Sequence, residues 1–361
     1  MWLHGVRRVG KTTLCKSLPD VEYFDCDLLS VRERLRDPET FWGDMRGRRV
    51  VLDEVHQAAD AALLLKIAAD HFPETKVIAT GSSTLAATAK FSDSLTGRKS
   101  DLLLTPMMSD DLESFGGSLE RRLWHGGLPS FYLGDPSESD VDAGEWMSSY
   151  WARDIQELFR IQQRSAFVRF VELVLARSGG MFEATSFAEA CAVSRSTIAN
   201  YLDILQITGV ATVVRPFSTR RTTEIVSAPK VYGFDTGFVR WAAGWREPRS
   251  EDFGALWEHY VINEIQARFA DVELRYWRRK GGAELDFVLV RRGRPPMAVE
   301  CKWRSANVGD LAGMRAFRAA YPEGEDLVVC ADLTDVRSLR LGDRVARLTG
   351  LGGLVGVLER E

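Results

Sequence analysis

Cysteine is scarce in this chain and never paired. Five cysteines (Cys15, Cys26, Cys191, Cys301 and Cys330) are spread over 361 residues without one C-x-x-C spacing. That excludes a disulfide framework and a cysteine-based zinc site, and it fits a reducing cytoplasm as the expected location. No apolar run approaches the roughly 18–20 residues that a membrane helix needs, and no signal peptide is seen at the start. Charge of one sign is also lacking. The net charge is −4, so any surface for nucleic acid must be local. What remains is ordinary for a globular chain, with 45% hydrophobic and 27% charged residues. The length suggests two or three domains.

The most specific stretch is Gly5-Val6-Arg7-Arg8-Val9-Gly10-Lys11-Thr12-Thr13. It fits G-x-x-x-x-G-K-[S/T] in full. Two glycines let the backbone turn tightly around a phosphate. The following helix adds its positive N-terminal end. Lys11 supplies a charge to the β- and γ-phosphates, and the Thr12 hydroxyl can sit on Mg²⁺. ATP and Mg²⁺ are therefore the expected cofactors. Met1 leaves only four residues ahead of Gly5, so the first strand is expected to be clipped.

Val21–Asp25 reads as a second short strand, and residues 48–52 as a buried parallel strand ending in Asp53 and Glu54. Acids at the C-terminal end of such a strand stand where open α/β sheets bind ligands. The pair resembles the second nucleotide motif of P-loop ATPases. That resemblance implies that Asp53 holds Mg²⁺ through water or Thr12, while Glu54 polarises the attacking water. Lys76 to Ser83 is the next strand and its polar end. Thr80 and Ser82 are placed to sense the γ-phosphate or to orient water. Arg98, in Ser94-Leu95-Thr96-Gly97-Arg98, reads either as an arginine finger, in cis or from a neighbouring subunit, or as a solvated arginine. Strands alternating with helices predict a three-layer α/β domain with a parallel sheet over residues 1–133. Gly126-Gly127-Leu128-Pro129 closes it as a turn. Gly134 to Glu145 carries five acids and no Lys or Arg, and reads as a linker or surface loop.

A helical and winged-helix domain is expected over 145–245. Trp146–Ile161 and Phe167–Ala176 are helical runs. Ser186–Ala192, a Val193-Ser194 turn and Arg195–Leu205 form a helix–turn–helix pattern, with Ser194 as the cap. Ile198, Leu202 and Leu205 make the core stripe of the second helix, leaving Arg195, Ser196, Thr197 and Asn200 outward. Thr212–Arg215 and Ala228–Phe234 read as strands flanking a tip with Arg220 and Arg221. The outward face suits a major groove and the tip a phosphate. The same module can equally be a spacer or a protein contact, because Asp203 and Glu224 dilute the positive field.

The third segment covers 250–361. A helix from Gly254 to Phe269 carries Glu258. A strand at Leu274–Arg278 and a Lys280-Gly281-Gly282 turn lead to a strand at Ala283–Val290 holding Asp286. The strand Met297–Lys302 holds Glu300 and Lys302, two apart and so on one face. Helix with Glu, strand with Asp, then strand with E-x-K resembles the restriction-endonuclease-like PD-(D/E)XK fold. The resemblance implies that Asp286 and Glu300 bind Mg²⁺, that Glu258 assists the metal or the fold, and that Lys302 positions or activates water. From Arg275 to Arg304 nine Lys and Arg face three acids, a basic zone suited to a phosphodiester backbone.

Taken together, the chain resembles the prokaryotic AAA-type ATPases whose C-terminal half is a nuclease-like domain of unknown function. The motifs above carry the resemblance, with Arg153-Asp154, Pro229-Lys230-Val231-Tyr232 and Asp235-Thr236-Gly237 beside them. It implies ATP binding, ATP hydrolysis and a DNA context. The alternative is an ATP-controlled switch that binds DNA or a protein without cutting.

Overall fold

The computed structural model describes residues 1–81, 95–135, 139–159, 161, 163–218, 228–279, 282–309 and 311–360. Ser82, Ser83, Ser94, Arg220, Arg221, Glu224, Lys280 and Gly281 lie outside them. The chain forms two compact units. One holds 1–106, 128–168 and 202–210; the other holds 107–127, 169–201 and 211–361.

The first unit is built on a five-stranded parallel sheet. Its strands are β1 (Trp2–His4), β2 (Glu22–Asp25), β3 (Arg49–Asp53), β4 (Lys76–Thr80) and β5 (Asp101–Leu103), in the order β2-β3-β4-β1-β5. Val50, Val51 and Leu52 are almost wholly buried, as a strand covered on both faces requires. The order sets β4 between β1 and β3. The tip of β4 thus falls between the phosphate loop after β1 and the acids that end β3. Helix α1 (Lys11–Ser17) follows the loop directly, with Gly10 at its N-cap.

The acidic stretch after Gly134 is corrected by the structure. Helix α2 runs over Ser139–Ser149, with Asp140 and Asp142 in its first turn. Acids there favour a helix start. Ala143, Trp146, Met147 and Tyr150 recur at helical spacing and are buried, which supplies the apolar stripe that the acids obscured. A π-helical segment, Tyr150–Ile155, continues α2.

Helix α3 (Arg164–Ala176) runs from the first unit into the second. In the second unit come strand β6 (Gly180–Met181) and helix α4 (Ala184–Cys191). Helix α5 (Arg195–Ile207) follows. Ser194 Oγ accepts from Thr197 N at 3.1 Å, the expected cap. Ile198, Leu202 and Leu205 are buried, while Arg195, Ser196 and Asn200 are exposed and Thr197 is half-buried. Strands β7 (Ala211–Pro216) and β8 (Lys230–Gly233) pair antiparallel, and β6 pairs with β8.

Helix α6 (Ser250–Arg268) follows, with Trp257, Tyr260, Val261 and Ile262 buried around its girth. The remaining strands are β9 (Glu273–Arg278), β10 (Glu284–Val290), β11 (Met297–Lys302), β12 (Asp326–Cys330), β13 (Arg337–Leu341) and β14 (Arg344–Thr349). They join β6–β8 in a nine-stranded mixed sheet, ordered β13-β14-β12-β11-β10-β9-β7-β8-β6. The link is β7 against β9, parallel, with Arg215 opposite Arg275.

Gly126 and Gly127 do more than close a turn. Gly127 N donates to Asp235 Oδ2 at 2.7 Å, inside the second unit. A Cβ on Gly127 would stand 2.3 Å from Arg122 Nε. Arg122 is fully buried, donates to Met107 O at 2.6 Å and to Thr236 Oγ1 at 2.9 Å, and lies 3.4 Å from Asp235. Removing one member of a buried, hydrogen-bonded pair leaves the other charge uncompensated. Asp235→Ala is therefore expected to destabilise the second unit by about 3–5 kcal/mol. A thermal unfolding midpoint equal to that of the wild type would refute this.

Candidate functional sites

In the first unit a pocket of about 430 Å³ is lined by Gly5 to Thr13, Glu54, Gly81, Pro129, Trp146, Asp154 and Thr208, among others. Gly5 has φ of +152°, and a Cβ there would stand 2.2 Å from Leu104 O, so the first glycine is required by contact as well as by conformation. Val6 and Val9 are buried and anchor the loop, Arg7 is half-buried, and Arg8, Thr12 and Thr13 are exposed. Lys11 Nζ folds back onto Gly5 O at 3.0 Å and Val6 O at 3.2 Å. Burial lowers its pKa, against the charges of Glu54 and Asp154. A partly desolvated ammonium held by carbonyls is a ready partner for phosphate oxygen.

Asp53, Glu54 and Thr80 are brought together. Thr80 Oγ1 donates to Asp53 Oδ1 and accepts from Glu54 N at 3.0 Å. Tyr23 OH donates to Asp53 Oδ2 at 2.6 Å. Both oxygens of Asp53 are thus fixed in place, and their remaining lone pairs stay open. An oriented carboxylate beside a loop that exposes Thr12 fits Mg²⁺, which keeps several waters and takes few protein ligands.

Glu54 has left-handed backbone geometry, φ 53°, rare for a residue with a Cβ. Its Oε2 lies 3.2 Å from His56 Nδ1. Burial works to raise its pKa. The His56 hydrogen bond and the charges of Lys11 and Arg7 outweigh that and hold the carboxyl below its ordinary value. Glu54 therefore stays ionised.

Arg98 does not reach this pocket. Its Nε pairs with Asp70 Oδ1 at 2.6 Å, and it lines a separate cavity of about 820 Å³ with Trp2, Leu65, Val77 and Lys99. The cis arginine-finger expectation is corrected accordingly.

Sequence reasoning missed three partners. Tyr23 and His56 lie near the acids, but neither belongs to a motif. The third is the helix that follows Gly134. Trp146 Nε1 donates to Arg7 O at 3.0 Å, and Asp154 in the π-helical segment pairs with Arg7 Nε at 2.8 Å. A carboxylate therefore lines a pocket suited to phosphate. Its only sequence signal was the Arg153-Asp154 pair.

In the second unit, β10 and β11 pair antiparallel with Phe287 opposite Val299. Asp286 and Glu300 are the next residues beyond that pair on their strands. Asp286 Oδ2 accepts from Cys301 N at 2.8 Å, and Lys302 Nζ donates to Glu300 Oε1 at 2.8 Å. Glu258 joins from α6, accepting from Tyr232 OH at 2.5 Å. Lys230 and Glu284 complete the cluster, 2.5 Å apart, with Lys230 also 3.8 Å from Glu258. Tyr232, Lys230 and Glu284 were not assigned from sequence to this site.

Burial and the Asp286 charge push Glu258 and Glu300 each up to about 7. Burial also raises Asp286, against Cys301 N–H and the two lysines. Among the described residues no group of three or more His, Cys, Asp or Glu is arranged to hold a metal ion. Asp286 and Glu300 alone make a two-carboxylate set, which suits Mg²⁺ shared with water and a phosphate. Glu258 is committed to Tyr232 and Lys230.

Two outcomes follow. Asp154→Asn removes an anion beside the phosphate loop and should tighten binding of a fluorescent ATP analogue on the order of tenfold, a change of about 1.4 kcal/mol. Weaker binding would overturn that role. The raised carboxyls give a pH signature. The unfolded chain ionises Glu300 near 4.5 and the folded chain near 7. In between, the unfolded state binds fewer protons, so this group's contribution to stability falls as pH rises from about 4.5 to 7. Buried His259, pushed down to about 4, works in the opposite direction below its ordinary 6.5. Comparing denaturation of Glu300→Gln with wild type isolates the carboxyl. The variant should gain relative stability across that window, and a constant difference would refute the assignment.

Comparison with known proteins divides the chain into three matches. Residues 116–249 match a domain of unknown function (DUF8612), and residues 253–349 another (DUF4143). The uncharacterized proteins Mb2031c of Mycobacterium bovis and Rv2008c of Mycobacterium tuberculosis are each 29% identical, over 81% of this chain and 68% of theirs. The solved Walker-type ATPase of Pyrococcus abyssi overlaps 67% of this chain and 90% of its own, at 15% identity and a TM-score of 0.41. The Orc1 protein of Aeropyrum pernix, solved in complex with DNA, overlaps 67% and 85%, at 14% identity and a TM-score of 0.25. No helix among the described residues is long and apolar enough to cross a membrane. Residues 1–112 match the family described as an AAA domain.

Proposed function

We propose that the protein binds and hydrolyses ATP with Mg²⁺ and uses that cycle at DNA. The observation that carries the first half is the chain of contacts from Glu54 N to Thr80 Oγ1 to Asp53, set beside Lys11 on the phosphate loop. Lys11 and the loop amides bind the phosphates. Thr12 and Asp53 hold Mg²⁺, which when bound neutralises charge on the phosphates. Glu54, kept ionised by His56, orients and polarises the attacking water. Arg98 is proposed as a finger only from a second copy.

The DNA half rests on the second unit. Three helices and the strand order β6-β8-β7 support a winged helix, with Arg195, Ser196 and Asn200 exposed on α5. We take residues 1–133, 145–245 and 250–361 as ATPase, winged-helix and restriction-endonuclease-like segments. In the last, Asp286 and Glu300 hold Mg²⁺ and Lys302 positions water at a phosphodiester. Adjacent registered strands support this grouping. The alternative is an ATP-controlled switch that binds DNA or protein without cutting.

One set of measurements separates these readings. ATP turnover is measured with and without single- and double-stranded DNA, beside Mg²⁺-dependent nicking. Lys11→Ala should abolish turnover. Glu54→Gln should bind ATP normally and turn over about 10²–10⁴-fold more slowly. DNA should stimulate the wild type. Asp286→Ala should lose nicking and keep turnover. Nicking undiminished in Asp286→Ala ends the nuclease reading. DNA binding without nicking under any divalent metal favours the switch.

A further inference from the structure

Lys230 sits among the second unit's carboxylates, yet its surroundings differ from those of Lys302. It is on β8, not on the E-x-K strand, and only 5% exposed. Its ammonium lies 2.5 Å from Glu284 and 3.8 Å from Glu258, with the Tyr276 ring 5.5 Å away. Burying an ammonium costs several kcal/mol unless it is paired. Here two acids from two elements, α6 and β10, supply the pairing. Tyr232, two residues along the same strand, donates to Glu258 as well. Strand β8 thus holds Glu258 twice, through a charge and through a hydroxyl.

The charge count around the cluster is informative. Glu258, Glu284, Asp286 and Glu300 face Lys230 and Lys302. Arg278 lies 3.7 Å from Glu284, but it is half exposed and its charge is largely screened. With all four carboxyls ionised, two negative charges remain, which is the charge of one divalent cation. Glu258 and Glu284 are the ion-pair partners of Lys230, whereas Glu300 pairs with Lys302 and Asp286 accepts from Cys301 N; the Lys230 charge also reaches Asp286 and Glu300.

We propose that Lys230 is the built-in second cation of this site. It occupies the Glu258–Glu284 side and leaves Asp286 and Glu300 to take a single divalent ion. Lys230 acts as a positioning residue. It fixes two carboxylates and keeps a second metal ion out by charge. This rests on the reading of the cluster as a cation site.

The test counts Mn²⁺ bound to the full chain by electron paramagnetic resonance, without nucleotide, at pH 8. Ions lost in Asp286→Asn are assigned to the cluster, which sets aside any ion at the phosphate loop. Wild type should hold one such ion. Lys230→Met and Lys230→Gln, checked for folding by circular dichroism, should bind one ion more than wild type, because Glu258 and Glu284 are then left without their counter-charge. Lys230→Arg should stay at the wild-type count. A merely structural lysine would lower the melting temperature and leave the count unchanged. Two cluster ions in wild type overturn the role of Lys230 but keep the cation site. A folded Lys230→Met with an unchanged count overturns it too. No cluster ion in wild type overturns the site and the Lys230 role together. Should both neutral variants unfold, the wild-type count decides.

Discussion

Asp53 is the fixed point of the first unit. Its carboxylate ends a strand whose last four residues are buried, and it is itself only 2% exposed. A buried acid must have its oxygens satisfied. Tyr23 from β2 satisfies one and Thr80 from β4 the other. The side chain therefore has one orientation, enforced by the strands on either side. Thr80 spends its remaining capacity on Glu54 N, which fixes the backbone of the next acid in its left-handed turn. The geometry of the two acids is in this sense a property of the strand order β2-β3-β4. Each neighbour of β3 contributes one hydroxyl.

The phosphate loop and the Asp53–Glu54 pair were legible because their chemistry demands particular residues at fixed spacing. Gly5 shows why: Leu104 O leaves no room for a Cβ. The parallel sheet was legible from continuous apolar strands such as Val50–Leu52. The Asp286, Glu300 and Lys302 set was legible for the same reason of spacing, since i and i+2 share a strand face.

What stayed hidden depends on contacts distant in sequence. Tyr23 reaches Asp53 from 30 residues away. Arg7 and Asp154 are 147 residues apart. Helix α2 was masked by its own composition. Five acids over twelve residues suggest a solvated loop, whereas the burial of Ala143, Trp146 and Met147 decides for a helix. Arg98 was left open between a finger and a solvated arginine because a Gly-Arg pair ahead of a strand has no spacing rule that ties it to phosphate. Lys230 looked like one more strand residue, and only the fold brings it beside Glu258 and Glu284.

Two charged clusters in the nine-stranded sheet show how stability and function can be told apart. Arg318 donates to Asp326 at 2.5 Å, to the carbonyls of Pro296, Tyr321 and Glu325, and to Glu323 O, while Arg344 adds a second cation at 3.0 Å from Asp326. One carboxylate there answers two guanidinium groups, backbone carbonyls take the other N–H donors of Arg318, and the cluster ties strand β12 to its neighbours. The Glu258–Asp286–Glu300 cluster is the opposite case. Burial raises the pKa of Glu258, Asp286 and Glu300, and the neighbouring carboxylate charges add to it. Well-packed apolar side chains of the same volume would stabilise the fold more. Under the reading proposed above, the unbalanced charge serves a ligand, and the ligand that balances it is a cation.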